Sequence, residues 1–220
     1  MIWLSWKTDG NNDPYTMKLD RNFPRYQLHE PRVPVWCLTP HQGGCIHRFF
    51  DTTPISPSGR YVALFRFPRE DRFPGPGDEG QVVLIDLETG TEKTVATTRG
   101  WEPQMGANIN WGPDDQTLLF NDVDTSDWSC HLVKIDPLSG KAQRSPGGIY
   151  HASPCGRYSA AANLRAMRRT QTGYGVIIPD ELVPRQRGAR DDEAATLIAN
   201  PSDIPNPNCS APDRRQRRVC

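Results

Sequence analysis

Residues 56–65 read SPSGRYVALF and residues 153–162 read SPCGRYSAAA. A chain that writes one phrase twice at distant positions is assembled from repeated units, and the phrase says what a unit contains. Ser-Pro-x-Gly closes a tight turn, because proline fixes one backbone angle and glycine tolerates a positive φ. The alternation that follows predicts a strand with Tyr61, Ala63 and Phe65 on one face and Val62, Leu64 and Arg66 on the other. A looser copy, GPDDQTLLFNDV at 112–123, places the turn at Gly112–Asp115 and the strand at Thr117–Phe120. A second phrase also recurs, QVVLIDLETGTEK at 81–93 and HLVKIDPLSGKAQ at 131–143. Each is a β-rich run that ends in Asp86 or Asp136 and turns at Gly90 or Gly140, which suits a hairpin needing positive φ at its last turn residue.

Composition supports short strands over helices. With 21 prolines and 18 glycines in 220 residues, long helices are disfavoured, since proline removes a donor and glycine costs backbone entropy. Apolar residues make up 36%, below the roughly 45–50% usual in globular domains. Lys plus Arg and Asp plus Glu are equal at 26 each, so no global field draws the chain to nucleic acid or an anionic membrane. The first residues, MIWLSWKTDG, lack the basic and apolar regions of a secretory signal, and no run is long enough for a spanning helix. A cytoplasmic location is the expectation. Cys37, Cys45, Cys130, Cys155, Cys209 and Cys220 are irregularly spaced in a chain longer than disulfide scaffolds, and are read as mostly free thiols.

The two phrases alternate, so one unit holds four strands in about 40–55 residues, the content of a β-propeller blade. The fold expected is all-β: a partial propeller of two four-stranded blades at 46–98 and 99–146 and part of a third at 147–190. A lead segment covers 1–32, and VPVWCLTP at 33–40 reads as a lone ring-closing strand. The pairing of SPxGRY with LIDLETG resembles the TolB-like, WD-repeat-like propellers, without a Trp-Asp ending. LTPHQGGCIHRFF ahead of the first blade is similar to the start of the oligogalacturonate lyase propellers. Residues 191–220 lose the alternation, carry Pro201, Pro205, Pro207 and Pro212, and end in the arginines 214, 215, 217 and 218. They read as a disordered or frame-shifted tail, of either a truncated propeller or a short protein in its own right. Open blade faces would then invite self-association.

In propellers, ligands sit where the loops entering each inner strand converge. Those loops carry His47-Arg48, the run Arg99–Gln104, and Tyr150-His151. The substrate-side candidates are therefore His47, Arg48, Trp101 and Gln104. An arginine offers a planar fork for a sugar carboxylate, and an imidazole can bind metal or carry a proton; a polar pair capping a strand is the alternative. The lyase resemblance implies an oligogalacturonide or other small acidic sugar as partner. It also implies a manganese-like divalent metal held mainly by histidines and a base that removes the C5 proton before β-elimination. By position those metal ligands fall in blades this chain lacks, so no catalytic residue and no cofactor is assigned to it and inactivity is expected. A non-catalytic propeller that binds a protein or peptide is the second reading.

Other motifs fail on spacing or context. Cys37, His41, Cys45 and His47 lack paired zinc spacing. NDVDTSDW at 121–128 lacks the glycine and the glutamate of a calcium loop. GPGDEG at 75–80 precedes a strand where a phosphate site needs a helix. The arginines at 214–218 are read as solvated, with no nucleic-acid partner. Asn208-Cys209-Ser210 fits a glycosylation sequon, which has meaning only after secretion. Trp101, Trp111 and Trp128 could stack sugars or pack between sheets.

Overall fold

In a computed structural model of the chain, residues 2–5, 14–29, 31–41, 43–49, 51–153, 155–156, 158–185 and 196–199 are described. The repeated phrases form repeated turns. Ser56 accepts the Gly59 N–H on its carbonyl and the Tyr61 N–H on its hydroxyl, at 2.8 and 3.1 Å. Ser153 does the same for Gly156 and Tyr158, at 2.8 and 3.0 Å. Gly90 and Gly140, with φ of 71° and 79°, donate to the Asp86 and Asp136 carbonyls at 2.8 Å. Those carboxylates accept from Glu88 and Leu138 N–H groups.

Between the turns lie β1 (Trp3–Ser5), α1 (Pro14–Asn22), β2 (Val35–Cys37), β3 (Cys45–Ile46), β4 (Tyr61–Arg66), β5 (Gly80–Asp86), β6 (Glu92–Thr98), β7 (Asn110–Trp111), β8 (Leu118–Asp124), β9 (Ser129–Ile135), β10 (Ala142–Pro146), β11 (His151–Ala152), β12 (Tyr158–Ala161), α2 (Leu164–Thr170) and β13 (Thr196–Ala199). They make four antiparallel sheets, ordered β1-β2, β3-β4-β5-β6, β10-β9-β8-β7 and β11-β12-β13.

The propeller expected from the repeats, TolB-like or WD-repeat-like, is corrected by this topology. Among the described residues the chain is mainly β, but its four sheets are discrete and none curls or closes into a ring. A tight turn and a hairpin dictate only which neighbouring strands pair; closure needs a distant strand to join a foreign sheet. Val35–Cys37, expected to be that strand, instead uses its ladder on β1, with Trp3 opposite Cys37, Leu4 opposite Trp36 and Ser5 opposite Val35. The disordered tail is corrected in one place as well, because Thr196–Ala199 pairs along the whole of β12. The rest of 191–220, including the arginines and the sequon, lies outside the described residues.

Both faces of β4 are buried, and the two faces feed different cores. Val62 and Leu64 join Val83, Ile85, Leu19, Phe23 and Trp36, whereas Ala63 and Phe65 join Val82, Trp101, Ile109, Leu118, Phe120 and Val133. The β3–β6 sheet is thus a middle layer, covered by α1 and β2 on one side and by the β7–β10 sheet on the other. The helix at 14–22 begins with proline at the one helical position where a missing N–H costs nothing. It docks on the Asp86–Gly90 turn, where Asn22 Nδ2 donates to the Glu88 carbonyl at 2.8 Å and Lys18 pairs with Glu88 at 2.9 Å. The neighbouring sheets are stitched by Thr98, whose hydroxyl donates to the Asn121 carbonyl at 2.6 Å and to Asp122 Oδ1 at 3.0 Å. Asn121 in turn exchanges two hydrogen bonds with the backbone of Ile149, ahead of β11.

Cys37, Cys45 and Cys130 are free thiols, and burial pushes Cys130 up to about 11. Cys155 is disulfide-bonded. Among the described residues no helix is long and apolar enough to cross a membrane.

Candidate ligand cleft where three sheets meet

The loops bearing Arg48, Glu102 and Tyr150 come together at one end of the stacked sheets. Arg48 follows β3, is 3% exposed, and lies with its guanidinium 4.5 Å from the centre of the Tyr150 ring. Its Nη1 donates to Asn110 Oδ1 and its Nη2 to Asp51 Oδ2, each at 3.2 Å. Asn110, on β7, also accepts the Ala152 N–H at 3.4 Å and donates to the Asn108 carbonyl at 2.8 Å. One buried amide therefore connects the residues after β3, the β7–β10 sheet and β11. Burial draws the Arg48 guanidinium down from its ordinary value, against the pull of Asp51, Tyr150 and Glu102.

Asp51 is the outward face of this junction. Its carboxylate, one third exposed, lies 3.8 Å from His151 Nε2. Both line a cleft of about 610 Å³ with Thr52, Thr53, Ile55, Ser56, Pro57, Asn110, Trp111 and Pro113. The Trp111 N–H is occupied by the Pro54 carbonyl at 2.8 Å, so the indole offers the cleft ring surface and no donor. The Ser56 hydroxyl accepts from the Tyr61 N–H, and so belongs to the turn.

Glu102 forms the inward face. Its backbone exchanges two 2.9 Å hydrogen bonds with Gly106, folding 102–106 into a tight loop. Its side chain, 1% exposed, accepts the Gly175 N–H on Oε2. Desolvation pushes its carboxyl up to about 7, against the opposing effects of Gly175, Asn108 and Arg48. The sign follows: the folded state binds this proton more tightly than the unfolded chain, so the stabilisation is full below about pH 4.5 and is lost as pH rises through about 7. By linkage the loss is on the order of 3 kcal/mol. Denaturant midpoints measured from pH 5 to pH 8.5 are expected to fall with rising pH in the wild type and to stay level in Glu102→Gln.

Of the four substrate-side candidates, Arg48 stands at the centre of the junction. Gln104 is exposed at its margin and donates its backbone N–H to the Gly173 carbonyl at 3.2 Å. His47 is exposed, on a surface apart from the buried Arg48. Trp101 is 3% exposed and packs between sheets, 5.1 Å from the Phe65 ring and 5.6 Å from that of Phe67. It lines a second, smaller cavity of about 470 Å³ with Phe67, Pro103 and residues 69–74. Loop position signalled Glu102 and His151; Asn108, Asn110 and Tyr174 carried no signal, since a lone asparagine or tyrosine in a loop reads as turn or surface.

Compared with protein-family models, with curated proteins and with solved structures, the chain matches none. Among the described residues no group of three or more His, Cys, Asp and Glu side chains could hold a metal ion. With the ring also not formed, the expectation of a metal-assisted oligogalacturonate lyase, and with it that of a propeller binding module, is set aside. Asp124 and Asp127, from the calcium-like stretch, hold the local turns of Ser126 and Ser129. A strand follows GPGDEG, beginning at Gly80.

Proposed function

We propose that the chain binds a small, uncharged, polyhydroxylated molecule of sugar type in the cleft between Asp51 and His151. The observation that carries this reading is the Asp51 carboxylate, which a fully buried arginine holds in place on the wall of a cleft whose other half is apolar. A fixed carboxylate beside the Asn110 amide and the Thr52 and Thr53 hydroxyls suits hydroxyl donors, and preorganisation lowers the cost of binding. Trp111 and the prolines 57 and 113 give a flat apolar wall of the kind that packs on the C–H face of a sugar ring. Because Arg48 is buried and already matched by Asp51, it offers the cleft no free guanidinium for a carboxylate ligand. The acidic sugar suggested by sequence resemblance is accordingly the weaker candidate.

Calorimetric titration with neutral mono- and disaccharides and with the corresponding uronic acids tests this. Neutral sugars are expected to bind more tightly than their acids. Asp51→Asn keeps the shape but loses a charged acceptor, and is expected to weaken binding by roughly 10- to 100-fold. Tighter binding of the acids, or unchanged affinity in Asp51→Asn, contradicts the reading.

A further inference from the structure

The connection from β4 to β5, FPREDRFPGPGDE at 67–79, is held together by its own hydrogen bonds. Arg72 Nη1 donates to the Phe73 carbonyl at 3.0 Å, and its Nη2 pairs with Asp78 Oδ2 at 3.2 Å. The same Asp78 oxygen accepts the Gly75 N–H at 3.0 Å. These bonds fix the tip of the loop, and the tip presents a large apolar side chain to water: Phe73 is 77% exposed. Phe73 also lines the cavity of about 470 Å³, so it stands on the rim and does not fill it. The wall behind it is aromatic, with Phe67 and Trp101 meeting edge-on at 5.6 Å. Because the Trp101 N–H is taken by the Asp78 carbonyl at 2.8 Å, the indole gives the cavity no donor and calls for an apolar occupant.

The charges on the rim are sorted by what already holds them. Arg72 is tied to Asp78. Glu70 folds back over the turn at Gly43 and Gly44, where a β-carbon would lie 2.9 or 3.2 Å from its side chain. Arg69 and Asp71 are exposed and, among the described residues, form no ion pair or side-chain hydrogen bond. The patch therefore carries an aromatic knob, an apolar hollow of a size that accepts one, and one uncommitted charge of each sign. A partner that matches it needs the same four parts, and a second copy of the chain supplies all of them.

We infer that the Phe73 patch is an interface between two copies of this chain related by a two-fold axis. Phe73 of each copy enters the Phe67–Trp101 hollow of the other, and Arg69 of each faces Asp71 of the other. Two-fold contacts pair one patch with itself, so a residue meets its complement twice; because knob and hollow share one patch, the contact closes at two copies and does not propagate. An aromatic centre with a charged rim is the usual layout of such surfaces. Equal counts of basic and acidic residues, 26 each, leave no net repulsion between copies. The apolar core of the contact is small, so a reversible dimer with a dissociation constant of about 1–100 μM is expected. This goes beyond the sugar reading and is independent of it, since the cleft of Asp51 and His151 is walled by other residues.

Sedimentation velocity of the full chain over about 1–300 μM, a range spanning that constant, tests the interface. The mass is expected to rise from one chain to two and to stop there. Phe73→Ala removes an exposed side chain, so the fold is expected to persist while dimerisation weakens by at least about 30-fold, because one substitution alters both halves of the contact. Arg69→Glu leaves both rims acidic and is expected to weaken the dimer by about tenfold at low salt, and adding Asp71→Arg to it to restore the dimer. In a mixture of labelled and unlabelled wild type, isotope-filtered NOEs are expected from the Phe73 ring of one copy to the Phe67 and Trp101 rings of the other, a readout that needs no variant. A single-chain mass at the highest concentration overturns the proposal and assigns the hollow to a different molecule. A dimer of unchanged affinity in Phe73→Ala places the contact on another surface, and growth beyond two copies makes it open-ended; each overturns it as well.

Discussion

Replacing Gly100 by alanine is expected to lower stability by about 3–5 kcal/mol, combining overpacking with lost buried hydrogen bonds. A β-carbon at that position would come within 2.4–2.6 Å of the Asp122 backbone nitrogen, α-carbon and carbonyl carbon. Backbone inside a central strand cannot turn aside as a side chain can, so the two sheets must separate. Separation strains the contacts made there: Thr98 to the Asn121 carbonyl, and Thr98 and the Arg99 N–H to Asp122. Asp122 Oδ2, which accepts from Arg144 at 2.6 Å, would move with them. Urea denaturation of Gly100→Ala against wild type checks this, with Gly59→Ala as a control in open space, where the cost is the positive φ of 79° alone. Since whole domains hold only about 5–15 kcal/mol, Gly100→Ala is expected to be partly unfolded at 37 °C. A midpoint matching wild type would mean the sheets are not in the contact described.

Removing Arg48 is expected to cost somewhat less, and for a different reason. The Arg48→Met variant retains most of the volume and deletes the cation, leaving Asp51, Asn110 and Glu102 facing one another. The loss removes a donor from the buried Asn110 and the cation from Asp51; because Asp51 is one third exposed, water screens part of that loss and the cost is expected at about 2–3 kcal/mol, below the range for a fully buried pair. Two further readouts distinguish this from simple loss of packing. Asp51→Asn should cost less in the Arg48→Met background than in wild type, the non-additivity of groups in direct contact. The Glu102 carboxyl should titrate still higher, because Arg48 is among the influences that lower it. Additive costs with an unchanged Glu102 titration would show that Arg48 serves only to fill space.

The parts of this architecture legible in the sequence are those dictated within a few residues. Ser-Pro-x-Gly and Asp-x-x-x-Gly fix their own turns by local hydrogen bonds, and the alternation in YVALFR assigns each side chain to one of two cores. Ring closure was not legible, because it depends on where Val35–Cys37 finds its partner, and Trp3–Ser5 supplies one that no local rule indicates. Helix 14–22 was hidden by the overall proline count, although Pro14 sits where a helix accepts proline. Helix 164–170 was hidden in the same way, although LRAMRRT holds neither proline nor glycine and follows Asn163, whose side chain caps it through the Arg165 and Ala166 N–H groups. At the site, Arg48 and the loop holding Glu102 were legible by position. The choice of Asp51 as cleft wall was not, because it follows from Arg48 turning inward while its neighbour His47 stays exposed.

The most direct test of the central claim, that ligand enters where three sheets meet, is chemical-shift mapping of the isotope-labelled chain with a saturating neutral disaccharide. The expected result is a set of changes confined to Asp51, Asn110, the Trp111 indole and His151, with Trp101 and Phe73 in the second cavity unmoved and all changes lost in Asp51→Asn. Changes centred on Trp101 and Phe73, or none at His151 at saturation, would contradict it.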